Sequence, residues 1–138
     1  MRCLRCGACC RKTEMLLSIT DIQRLERKGY STEFFVRYDK ADYAALRNRQ
    51  EHCVFYDVEN RRCRVYADRP LGCRAYPVIL DEEKGIVVDN LCHARSLVTE
   101  QEKARKGKRV LKLLRNIDAE AEKRRYAYSS SAVSDQLR

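Results

Sequence analysis

The chain has 138 residues, eight of them cysteine, with 29 Lys and Arg against 20 Asp and Glu for a formal net charge of +9. That length fits one domain with room for an appendage, and three Phe with no Trp make a thin apolar core that metal cross-linking would help to fold. No stretch approaches a membrane span, and Met1-Arg2 runs straight into cysteines and Arg5 rather than into the apolar segment of a leader, so a cytoplasmic protein without a membrane is expected.

In chain order, Cys3, Cys6, Cys9 and Cys10 come first as a CxxCxxCC array. Two-residue spacers let a tight loop turn successive thiolates toward one point, the geometry that zinc and iron–sulfur sites share. The adjacent pair carries a constraint. Neighbouring side chains diverge in strands and helices alike, so Cys9 is expected to join Cys3 and Cys6 while Cys10 faces a second ligand set. Eight cysteines divide evenly into two four-ligand sites. One site, with the leftover cysteines buried as small apolar residues, stands beside that reading. In a reducing compartment such clustering points to metal or redox chemistry, and a disulfide scaffold is the competing explanation.

Met15 to Ile19 is a short apolar run, after which Ser18 or Thr20 caps a helix to about Lys28, with Gly29 as its stop. Ser31 to Val36 predicts a second short helix that docks Phe34 and Phe35. Residues 37–52 are polar and carry no assignment. Cys53 to Asp57 and Cys63 to Tyr66 flank a turn at Glu59 to Arg62 and predict a hairpin. Both prolines, Pro70 and Pro77, lie around Cys73 and fix its backbone. A second hairpin, Val78 to Leu80 with Ile86 to Val88, returns the chain to Cys92 and His93.

Residues 95–138 hold 12 Lys and Arg against 6 acids, whereas residues 1–94 hold 17 against 14, so the surplus sits in the tail. Metal-bound thiolates would offset part of the formal charge. Helical spacing of Val110, Leu111, Leu114, Ile117 and Ala121 predicts one helix over 96–125, or two pieces broken near Gly107. This is a packing helix with a solvated basic face, or alternatively a contact for a protein or RNA partner. Residues 128–138 read as a disordered tail. The expected organisation is a cysteine-centred domain over 1–94, a basic helical extension over 95–127, and that tail. The fold class is α+β, with short hairpins and a C-terminal helix around the metal or cluster.

The array, Cys53 with Phe55, the run Cys63-Arg64-Val65-Tyr66-Ala67-Asp68-Arg69-Pro70-Leu71-Gly72-Cys73-Arg74-Ala75-Tyr76-Pro77, and Cys92 together resemble the CxxCxxCC cysteine-cluster family of zinc- or iron-chelating domains. The resemblance covers Cys3 to Cys92 and implies metal binding. Some longer members are flagellin lysine methylases that contain this module, but nothing here matches a methyl-donor site.

All eight cysteines are candidate ligands: Cys3, Cys6, Cys9, Cys10, Cys53, Cys63, Cys73 and Cys92. Arg69 and Arg74 flank Cys73 and are candidates to hydrogen-bond sulfurs or adjacent carbonyls, or to form ordinary surface pairs. Tyr66 and Tyr76 are candidates to cover the site or to pack the core. His52 and His93 each adjoin a cysteine, which sets them against sharing its metal. CxxCxxC with a distant cysteine is closer to ferredoxin-type ligation of a 4Fe–4S cluster than to paired zinc CxxC motifs, so an iron–sulfur cluster is expected, with zinc as the alternative. The functions that follow are electron transfer or an accessory role to a modifying enzyme. The alternatives are a zinc-stabilised module whose tail binds RNA or protein, and thiol or metal-transfer chemistry at Cys9 and Cys10. No catalytic triad, P-loop or dinucleotide fingerprint is present, so autonomous catalysis is not expected.

Overall fold

The computed structural model describes residues 7–136, with side chains over 7–127 apart from that of Ala8. Cys3 and Cys6 therefore lie outside the described residues. The first regular element forms where the sequence supplies a cap. The Ser18 hydroxyl accepts from the Asp21 N–H at 3.2 Å and the Asp21 carboxylate accepts from the Ser18 N–H at 3.2 Å, a reciprocal capping box. Helix α1 runs from there over Ile19–Arg27 and buries Ile22 and Leu25. Helix α2, Thr32–Phe35, follows as a single turn and buries Phe35.

The unassigned stretch 37–52 is a set of very short strands. Strand β1 (Val36–Tyr38) pairs with β2 (Ala44–Leu46) in antiparallel register, Val36 opposite Leu46. The apolar run before α1 lies along the same ladder: Leu17 N–H donates to the Ala44 carbonyl at 2.8 Å, and Leu46 N–H to that of Met15 at 2.9 Å. Strand β3 (Asn48–Arg49) pairs with β4 (His52–Cys53) across a two-residue turn. The Asn48 amide acts as an extra strand by accepting from Thr13 N–H and donating to the Thr13 carbonyl, both at 2.9 Å. This fastens the segment that leaves the cysteine loop.

Both predicted hairpins form, but the first has only two residues a side, with Arg62 in a strand instead of the turn, and Cys53 pairs with Asn48 instead of joining it. Strand β5 (Tyr56–Asp57) pairs with β6 (Arg62–Cys63), Tyr56 opposite Cys63. The Asp57 carboxylate closes their turn by accepting from the N–H groups of Glu59 and Asn60. Helix α3 is the five residues Leu71–Ala75, and β7 (Val78–Asp81) pairs with β8 (Gly85–Val88), Val78 opposite Val88. The core joins Leu17, Leu25, Phe35, Leu46, Phe55 and Val65, with Tyr30 edge-on to Phe55 at 5.0 Å.

Helix α4 is one unbroken element, Glu100–Gln136. It lies across α3, β7 and β8 and buries Val110, Leu113, Ile117 and Ala121. Gly107 does not break it. A Cβ there would come within 2.9 Å of the Ile86 side chain, so the glycine permits close approach to β8. The helical backbone continues past 127, where the sequence reading ends it, because residues 120–136 contain neither Gly nor Pro to interrupt the i→i−4 ladder. No helix among the described residues is long and apolar enough to cross a membrane. The architecture is α+β, as the sequence pattern implies.

Candidate metal centre

Five cysteines from four places in the chain line one cavity of about 510 Å³: Cys9, Cys10, Cys53, Cys63 and Cys73. Cys9 and Cys10 stand in a 3-10 turn, Ala8–Cys10, which is closed by Cys10 N–H donating to the Gly7 carbonyl at 3.0 Å. Strand β4 delivers Cys53, β6 delivers Cys63 and α3 delivers Cys73.

The 3-10 turn corrects the expectation that adjacent cysteines look apart. The Cys9 and Cys10 sulfurs are 3.9 Å from each other and both line the cavity. Adjacent positions of a 3-10 turn diverge by about 120°, so rotation about the side-chain bonds is what brings the two sulfurs together. Cys92 is buried elsewhere, off this cavity, beside the segment where its N–H donates to the Asp89 carbonyl at 3.3 Å. Tyr76 lies in the field of both Cys9 and Cys92. Burial and a 2.6 Å bond to Asp89 push its phenol well above the usual range.

The thiols influence one another. The contact between the two thiols draws Cys9 down to about 7, helped by the positive charge of Arg69, and with burial it pushes Cys10 up. Burial raises Cys53 to about 11 and Cys73 well above its ordinary value, each aggravated by the neighbouring sulfurs. Thiols in this position resist ionising one after another, and a soft cation among them reverses the balance. Arg61, Arg62, Arg64 and Arg69 line the cavity as well, so cations stand ready to offset a thiolate-rich centre. The donor set, all sulfur with a cationic wall, fits a thiophilic metal.

The two flanking arginines part company. Arg69 lies on the cavity, its guanidinium 3.9 Å over the Tyr66 ring with Nε donating to the Tyr66 carbonyl at 2.9 Å. Arg74 donates to the Ala67 carbonyl at 2.9 Å and lines a different groove. Tyr66 lines the cavity while Tyr76 does not. His52 stacks on Tyr56 at 5.2 Å, His93 is exposed, and neither lines the cavity. Among the described residues, no three His, Cys, Asp or Glu side chains gather closely enough to hold a single ion.

Sequence reasoning missed three residues that place these cysteines: Gly7, Tyr56 and Asp21. The Gly7 backbone is left-handed (φ +78) and a Cβ there would collide with the Tyr56 hydroxyl, so the loop passes directly over that ring. The fully buried Asp21 carboxylate accepts from Leu71 N–H at 3.1 Å and from Arg24 at 2.8 Å, while Arg24 also donates to the carbonyls of Asp68 and Arg69. Helix α1 thereby grips the loop that presents Cys73. The capping pattern at Ser18 was the one sequence signal that pointed to Asp21.

The family model CxxCxxCC, described as a putative zinc- or iron-chelating domain, matches residues 2–110. The match extends beyond Cys92, where the sequence resemblance stops, and takes in the start of α4. No curated protein and no solved structure matches the chain.

Proposed function

The chain belongs to the CxxCxxCC family of chelating domains, and on that premise we propose that its cysteines hold an iron–sulfur cluster, with electron transfer or support of a modifying enzyme as its role. Metal binding itself is the family's property. The spread of five thiols around a cavity of about 510 Å³ carries the choice of a cluster. Thiolates on one tetrahedral zinc crowd to within about 3.8 Å of each other, given bonds of about 2.3 Å. Those of a cluster bind different irons and stand further apart. Cys9, Cys53, Cys63 and Cys73 are the residues that would hold it, with Cys10 beside Cys9, and Cys3 and Cys6 as further candidates. When bound, such a group exchanges single electrons. The chain's own part is to exclude bulk water with Leu46, Phe55 and Val65 and to surround the sulfurs with guanidinium charge.

The 3.9 Å separation of the Cys9 and Cys10 sulfurs favours the zinc alternative, since two thiolates on one ion stand that close. Protein purified without oxygen and analysed for absorbance, iron, acid-labile sulfide and zinc decides between them. Broad absorption near about 400 nm with iron and sulfide is the expected result. A colourless protein carrying zinc equivalents overturns the cluster.

A further inference from the structure

Between the start of α1, helix α3 and the middle of α4 runs a groove of about 680 Å³. Its walls carry five cations: Arg74, Lys106, Arg109, Lys112 and Lys123. The single acid lining it, Glu120, is already engaged, because its carboxylate accepts from the Ile19 N–H at 2.9 and 3.1 Å. Lys106 lies 3.8 Å from Glu102. Among the described residues, Arg109, Lys112 and Lys123 form no ion pair. The floor is of opposite character. Ile19 and Leu71 are 42% and 39% exposed there, with Val110 and Leu113 beneath them.

We propose that this groove receives an acidic, amphipathic segment of a partner protein. Charge and floor together select that occupant. A polynucleotide would use the cations, but no aromatic ring lines the groove to stack a base, and phosphates gain nothing from an isoleucine and a leucine. A helix with carboxylates on its flanks and an apolar stripe uses both. Position agrees with chemistry. Helix α3 presents Leu71, Arg74 and Ala75 to the groove and Cys73 to the metal cavity. A docked partner thus lies one short helix away from the thiols. The surface does not depend on which metal they hold.

The test uses fluorescence anisotropy on the intact chain with a labelled peptide of about 20 residues, built from Glu, Ala and Leu with leucines at i, i+3, i+4 and i+7. A scrambled isomer and an oligouridylate serve as competitors. The striped peptide is expected to bind about tenfold or more tighter than its scramble, and Arg109→Glu with Lys112→Glu to weaken it by about tenfold or more. Reversal of Arg105 and Arg115, which do not line the groove, is expected to cost much less. Leu71→Ser should weaken the striped peptide and leave the scramble unchanged. The milder Arg109→Gln with Lys112→Gln repeats the loss in a chain whose fold is checked by circular dichroism. Equal binding of stripe and scramble, equal losses from the two charge reversals, or displacement of the peptide by oligouridylate at lower concentration each overturns the proposal.

Discussion

Gly7 sits between the cysteines of the N-terminal array and above the ring of Tyr56. Two penalties fall on any side chain there. Left-handed backbone costs an L-residue about 1–2 kcal/mol, and a Cβ would meet the Tyr56 hydroxyl at 2.5 Å. Neither can relax cheaply, because Tyr56 is held opposite Cys63 in the β5–β6 ladder and stacked on His52. Gly7→Ala is therefore expected to lift the loop off the cavity. Metal bound per chain should fall well below that of the parent while far-UV circular dichroism stays the same. Full metal content in that variant would show that the loop tolerates a side chain. The array was readable as candidate ligands from its spacing, whereas Cys53, Cys63 and Cys73, which meet it at the cavity, have no spacing of their own to mark them. The facing of Cys9 and Cys10 was not readable, because it depends on side-chain rotamers that a spacing rule does not contain.

Helix α1 shows the same division among elements. Its start, its cap and its apolar side could be read from a few consecutive residues, and so could the β7–β8 hairpin. Both depend on contacts local in sequence. Strands β1 to β4 escaped because each is only two or three residues long and is specified by partners elsewhere: Met15 and Leu17 for β2, Thr13 for Asn48. A period-2 pattern needs more residues than that to show. What α1 does for the site was equally hidden, since Asp21 reaches Leu71 and Arg24 reaches Asp68 and Arg69. Asp21→Ala removes the cap acceptor and leaves Arg24 without its partner carboxylate. Breaking a buried pair of this kind costs about 3–5 kcal/mol. Chemical denaturation should register that loss, and Cys73 should become more reactive to thiol reagents in the native state. A change within about 0.5 kcal/mol, the range of an ordinary surface substitution, would rule out the clamp.

Over the whole molecule, α4 acts as a strap. Its first turns lie on β7, β8 and α3. Further along, Glu120 caps α1, Arg124 donates to the Asp42 carbonyl at 3.0 Å, and Tyr43 donates to Asp118. The family match ends at 110, but Leu113, Ile117 and Ala121 lie beyond it and are buried. A chain ending at residue 110 exposes that seam. Full burial of a Leu or Ile side chain stabilises by about 1.5–3 kcal/mol, so losing two removes much of the roughly 5–15 kcal/mol that keeps a domain folded. The truncated chain is expected to melt at a clearly lower temperature, or without a cooperative transition. An unchanged melting curve would mean that the strap is dispensable.

Helix α3 is only five residues long, yet it faces three openings. Cys73 lines the metal cavity, Leu71, Arg74 and Ala75 line the basic groove, and Gly72 lies against Met15 in a third cleft that also reaches Cys9. So short a helix has no room to adjust one face while the others stay still. Metal in the cavity and the proposed partner in the groove would then be linked equilibria, and linkage is reciprocal. Whatever factor metal loading adds to the partner's affinity, the partner adds to the affinity for metal. A partner that docks more tightly on the loaded chain would thereby also tighten metal binding, and one that prefers the empty chain would weaken it.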